Sequence, residues 1–157
     1  MTIVVEHHCN IDATPEAVWR SLTDFSHWAD WHPHRRLVGE AKLHARVVHI
    51  LRQPSAGRRR TPSTIDGLEE GRCLSFRFGR RWYGYSFERF RLEPWKSGTR
   101  LTQVTQTPLW LVKLQRGPNE HEAAVRSACE QVAAALSRRL KPGPDQPRSR
   151  MSHRGRL

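Results

Sequence analysis

PNEHEAAVRSACEQVAAALSRRL, residues 118–140, is where the chain changes period. His121, Val125, Ala128, Val132 and Leu136 fall at i, i+4, i+7, i+11 and i+15. That is one stripe of a helix of about 20 residues. Asn119 or the Pro118 turn starts it, and Pro142-Gly143 ends it. A long amphipathic helix must bury its stripe, and one face of an antiparallel sheet supplies the surface it needs.

The preceding residues read as that sheet. Residues 3–11 are β-rich and predict an edge or near-edge strand. LHARVVHILRQP alternates, and PSAGRRRTPS is a turn-rich break. STIDGLEEGRCLSFRFG gives two short strands around Glu69-Glu70-Gly71. RRWYGYSFERFRLEP is a long alternating strand, and KSG turns the chain into TRLTQVTQT. Between the first strand and these lies DATPEAVWRSLTDFSHWADWHP, residues 12–33. Thr14 suits an N-cap, Pro15 the first helical position and Glu16 the helix N-terminus. Val18, Trp19 and Leu22 predict a short helix, and a second short helix or turn follows before Pro33. The fold class is therefore α+β: a curved antiparallel sheet of about seven strands gripping a long C-terminal helix, with two short helices after the first strand.

The chain has 157 residues, which suits one domain and one core. No run approaches the roughly 20 apolar residues of a membrane span, and no signal peptide is evident. Cys9, Cys73 and Cys129 are far apart and form no CxxC pair, so reduced thiols in a cytoplasmic protein are expected. The net charge is +12, carried by 23 Arg and 4 Lys against 15 carboxylates. From Lys141 onward there are five cations and one anion, +4 of that total. Residues 1–141 are expected to form the domain and 142–157 a disordered basic tail. Such a tail is a solubilising segment first, and a contact for nucleic acid or anionic membrane second.

One set of residues carries a resemblance. Pro15-Glu16-x-Val18-Trp19-x-x-Leu22-Thr23-Asp24-Phe25-x-x-Trp28-x-x-Trp31-x-Pro33, then Gly39-Glu40, Phe90-x-Leu92-x-Pro94 and Gly98-Thr99-Arg100-Leu101-Thr102, resembles the SRPBCC superfamily. This is the START, polyketide cyclase/dehydrase and birch-pollen-allergen-like group, and the likeness runs from residue 3 to about 140. It implies the helix-grip fold with an apolar cavity between sheet and last helix. It also implies a ligand of lipid, sterol, polyketide or hormone type, and in some members cyclisation chemistry. Fold alone does not decide among these.

The resemblance places Phe90 and Leu92 inward, so alternation puts Trp82, Gly84, Ser86 and Glu88 on the cavity face as well. Gln103 and Thr105 share the inward face of the last strand, where the family often has His and Glu. Val47, His49 and Leu51 are expected beside Leu74, Phe76 and Phe78. Val125 and Cys129 face the cavity from the helix, and Trp31 stands at the rim. Trp19 reads as core. Pro108–Leu114, with Trp110, reads as a lid or as a surface for membrane or another protein.

Apolar walls with His49, Ser86, Glu88, Gln103 and Thr105 are the usual chemistry of a small-molecule site. Each polar group left unpaired in such a place costs roughly 1–3 kcal/mol, which a ligand or water can offset. Binding of a small hydrophobic molecule is the expected function. Glu88 and His49 are the candidates for acid–base catalysis if the protein is instead a cyclase or dehydrase. A third class, nucleic-acid or anionic-membrane binding, rests on the tail and on Tyr83, Tyr85, Phe87, Arg89 and Arg91 of the outer face. No cofactor motif is present, and Pro33 breaks the segment His27, Asp30, His32, His34 that invites a metal reading. Arg58-Arg59-Arg60 reads as a solvated loop.

Overall fold

The computed structural model describes residues 1–53 and 57–141. Residues 142–157, the expected basic tail, lie outside the described residues. The order is β1 (Thr2–Ile11), α1 (Pro15–Thr23), a single 3-10 turn (Phe25–His27), α2 (Trp28–Trp31), β2 (Arg35–Val38), β3 (Arg46–Gln53), β4 (Gly57–Glu69), β5 (Cys73–Arg80), β6 (Gly84–Trp95), β7 (Gly98–Pro108), α3 (Leu109–Gln115) and α4 (Pro118–Leu140). The strands form one antiparallel sheet in the order β1-β7-β6-β5-β4-β3-β2. The edge position of β1 and the continuous last helix agree with the sequence reading.

Local chemistry sets the boundaries. Thr14 caps α1, its Oγ1 accepting from the Ala17 N–H at 3.2 Å, with Pro15 in the first turn. Leu101, Gln103 and Thr107 of β7 point into the fold, as do Phe90 and Leu92 of β6 and Leu74 and Phe76 of β5. A bulge between Ile65 and Gly67 interrupts the β4–β5 ladder, and such a bulge bends and twists its strand.

The concave face is filled unevenly by α4. Its C-terminal half buries Cys129, Val132, Ala133, Ala135 and Leu136 against the core. Its first half leaves Val125 and Ala128 only partly covered. The other end of the concave face is plugged by the aromatic segment after α1. Trp28 is wholly buried, its Nε1 donating to the Leu22 carbonyl at 2.9 Å, with Phe25, Trp31, His32, Phe76 and Phe90 around it.

Two expectations need correction. The break at PSAGRRRTPS is shorter than expected. β4 starts at Gly57, so Arg58-Arg59-Arg60 are strand residues opposite Arg52, Leu51 and Ile50. A backbone ladder tolerates arginine when the side chains reach solvent. Val47 and His49 do not pair with β5, because β4 intervenes and Val47 lies opposite Ser63. The segment 109–115 is a helix, with Val112 fully buried and Trp110 and Leu114 exposed.

Candidate functional site

The space left under the first half of α4 is a cavity of about 550 Å³. Its apolar wall comes from Leu51, Phe78, Val125, Ala128, Cys129 and Val132. Its polar wall comes from His32, His34, Arg35, Arg52, Ser86, Glu88, Gln103, Thr105 and Arg116.

At its floor Arg35 of β2 meets Glu88 of β6. The two guanidinium nitrogens donate to the two carboxylate oxygens, Nη1 to Oε2 at 2.6 Å and Nη2 to Oε1 at 2.5 Å. Both side chains are about five-sixths buried, at 15% and 16% exposure. Burial alone raises a carboxyl, but the Arg35 charge and its two hydrogen bonds outweigh that and hold Glu88 below the usual carboxylate range. Burial likewise works against the Arg35 cation, and Glu88 reverses it.

The network extends away from the cavity. Arg35 Nη1 lies 3.2 Å from His49 Nδ1, His49 Nε2 lies 2.8 Å from Ser63 Oγ, and Ser63 Oγ donates to the Val47 carbonyl at 3.3 Å. With the Ser63 proton directed at Val47, its oxygen accepts from His49 Nε2–H, and Nδ1 accepts from arginine. His49 is therefore neutral. Burial first, and Arg35 second, push its pKa down to about 3. His32 is neutral for the same two reasons, at about 2. Its Nδ1 accepts the backbone N–H groups of His34 and Arg35 at 3.1 and 3.2 Å.

Among the residues expected from sequence to line the cavity, the structure brings together Phe78, Ser86, Glu88, Gln103, Thr105, Val125 and Cys129. Gln103 also ties sheet to helix, its Nε2 donating to the Cys129 carbonyl at 3.0 Å. The Cys129 thiol is pushed up to about 11 by burial and by the Glu88 charge, so it stays protonated at neutral pH.

Six residues lie elsewhere. Val47, His49, Phe76 and Trp31 are buried in the core, where Trp31 packs on Trp28 rather than standing at a rim. Trp82 is 83% exposed. It sits in the turn between β5 and β6, because β6 begins only at Gly84, so the alternation of 86–92 does not extend back to it. Trp110 is half exposed on α3 and donates to the Tyr83 carbonyl at 3.1 Å, bordering a surface hollow with Trp82. The expected Glu88–His49 acid–base pair is not formed as such, since Arg35 stands between them and holds the carboxylate.

Sequence reasoning missed Arg35, Arg52 and Arg116, and weighed His32 and His34 only as metal ligands, not as cavity residues. A signal for Arg35 existed: an inward-facing glutamate needs a cation, since charges are rarely buried unpaired. The partner lies 53 residues away on a four-residue strand, which no local pattern marks.

The comparisons with known proteins agree with this architecture. No curated protein matches the sequence. A START superfamily protein from Mycobacterium smegmatis superposes with a TM-score of 0.72 at 14% identity, covering 87% of this chain and 96% of that one. Ara h 8.0201 superposes at 0.69 and 10% identity, covering 89% and 98%. The di-domain ARO/CYC StfQ from the steffimycin biosynthetic pathway superposes at 0.67 and 17% identity, covering 89% of this chain and 51% of that one. These identities carry fold alone. The model of the family described as polyketide cyclase / dehydrase and lipid transport matches residues 2–141, and with that extent of match this chain is a member of that family and of the SRPBCC superfamily.

Proposed function

We propose that the protein binds a small, largely apolar molecule of lipid, polyketide or aromatic type in the cavity between its sheet and α4. The observation that carries this reading is the cavity itself: about 550 Å³, within the range of small-molecule sites, with one apolar wall and a few fixed polar groups. Family membership supports the same reading. A cyclase or dehydrase is the second reading, favoured by the family description and by a carboxylate at the cavity floor. Against it, Glu88 is occupied by Arg35, His49 is sealed in the core and the Cys129 thiol stays protonated. Carriage needs none of these groups to move a proton. Residues 1–141 form the binding unit in this reading, and the free thiols suit a cytoplasmic setting.

Native mass spectrometry of gently purified protein tests the proposal, and a co-purified small molecule is the expected result. Ala128→Trp places an indole in the cavity wall. It should abolish binding of a neutral apolar fluorophore while leaving the far-ultraviolet circular dichroism unchanged. Undiminished fluorophore binding in that variant rules the cavity out as the site.

A further inference from the structure

The cavity is not only apolar; its surroundings are cationic. Arg35, Arg52 and Arg116 line it, against the single carboxylate of Glu88. A smaller hollow of about 180 Å³ shares His32, His34, Arg35 and Arg52 with it and adds Arg36 and Arg58. Another hollow shares Arg116, Val125 and Ala128 and adds Arg59. The three lining sets together contain six arginines and one carboxylate, and Arg35 already holds that carboxylate.

Three further facts point the same way. Among the described residues, arginine ion pairs are made by Arg35, Arg91 and Arg126, and by none of Arg36, Arg52, Arg58, Arg59 or Arg116. Arg52 and Arg58 stand directly opposite on β3 and β4, a like-charge pairing that weakens a sheet unless an anion lies between them. His32 lines two of the hollows and is 94% buried, by its 6% exposure. Its Nδ1 is filled by two backbone donors, so its proton sits on Nε2, which has no acceptor among the described residues.

Resting on the proposed ligand-binding role, we propose that the ligand is an anionic amphiphile: an apolar body in the cavity and a phosphate, sulfate or carboxylate group held by Arg52 and Arg116 at its edge. Guanidinium groups match such oxyanions in geometry and charge, and the exposed Arg52 and Arg116 leave their donors free to meet a headgroup at the cavity edge. A neutral sterol or hydrocarbon has no use for this arrangement, and a cationic amphiphile is repelled by it.

The test uses the full chain and displacement of the neutral fluorophore N-phenyl-1-naphthylamine by octyl phosphate, 1-octanol, octyltrimethylammonium and inorganic phosphate. Octyl phosphate should act at concentrations about tenfold or more below 1-octanol, as one or two charge-assisted hydrogen bonds allow. The advantage should shrink in high salt, and octyltrimethylammonium should be weaker than the alcohol. Arg52→Gln/Arg116→Gln should bring the potency of octyl phosphate to that of 1-octanol measured in the same variant. The control Arg20→Gln/Arg138→Gln removes two charges elsewhere and should change neither. Equal potency of phosphate and alcohol, or an advantage that survives in the Arg52/Arg116 variant, overturns the proposal and leaves the apolar site standing. Thermal stabilisation by inorganic phosphate equal to that by octyl phosphate also overturns it, in favour of a free-anion site. If the fluorophore and all three octyl compounds fail to bind, the ligand-binding reading falls and takes this one with it.

Discussion

Replacing Glu88 by Gln leaves the Arg35 guanidinium charged, mostly buried and without a carboxylate. Breaking a buried pair from one side costs about 3–5 kcal/mol, and the openness of this pair to the cavity favours the lower end. The double change Arg35→Met/Glu88→Leu removes both charges and should be more stable than Glu88→Gln alone, by denaturant midpoint at unchanged slope. A double variant no better than the single would mean that Glu88 acts through something other than Arg35. The neutral histidines give a second prediction at this scale. Their folded pKa values, about 2 for His32 and about 3 for His49, lie below the ordinary 6.5, so the unfolded chain takes up their protons first. Their contribution is complete above about pH 6.5 and is lost as pH falls towards the folded values, each at about 1.4 kcal/mol per pH unit. Glu88 adds the same sense of change, but only below its ordinary 4.5. Acid unfolding should therefore begin near pH 6, and His49→Phe should flatten the stability slope between there and the carboxylate range. Arg35 was invisible to pattern reading, whereas Glu88 was legible once the resemblance set Phe90 and Leu92 inward, because strand alternation is a local property and ion-pair partnership is not.

The β5–β6 hairpin shows where alternation stops being informative. RRWYGYSFERF alternates without a break, yet Arg80 ends β5 and Arg81, Trp82 and Tyr83 make the turn. The boundary is set by two glycines with positive φ, Gly79 at 99° and Gly84 at 93°. A Cβ on Gly79 would lie 2.4 Å from the Gly84 carbonyl oxygen, and one on Gly84 would press on the Pro108 ring at 3.3 Å. Gly79→Ala thus combines a disfavoured backbone with a clash and should cost at least about 1–3 kcal/mol, read as a fall in melting temperature. Trp82→Ala removes an exposed side chain and should shift stability by no more than about 0.5 kcal/mol, with fluorophore binding in the cavity unchanged. A loss of that binding would place Trp82 at the site despite its exposure. The two glycines flanking RRWY were the available signal, since a short connection containing glycine between β runs marks a hairpin. The arginine triplet misled in the opposite direction: composition suggested a loop, and the ladder with β3 made it strand.

At the scale of the whole molecule, the same helix serves as core along one half and as cavity wall along the other. Its stripe of His121, Val125, Ala128, Val132 and Leu136 is continuous in sequence, and nothing in the period distinguishes the halves. The difference comes from what the sheet presents. Opposite Leu136 the space is filled by the Trp28 plug and the inward residues of α1 and the sheet. Opposite Val125 the wall is smaller and more polar, with Ser86, Thr105 and Gln103. Fold class was therefore legible from periodicity, and the cavity was not, because a cavity is a deficit of volume summed over distant elements. Two truncations separate the roles. Leu136→Ala opens a void in a filled core and should cost about 2–5 kcal/mol. Val125→Ala enlarges a space that already exists and should cost under about 1.5 kcal/mol, while changing fluorophore affinity measurably through lost contact. Chemical denaturation and fluorophore titration on both variants give a crossed pattern if the helix is divided in this way. Equal destabilisation by the two changes would mean that the space under Val125 closes in solution, and the helix would then be core along its whole length.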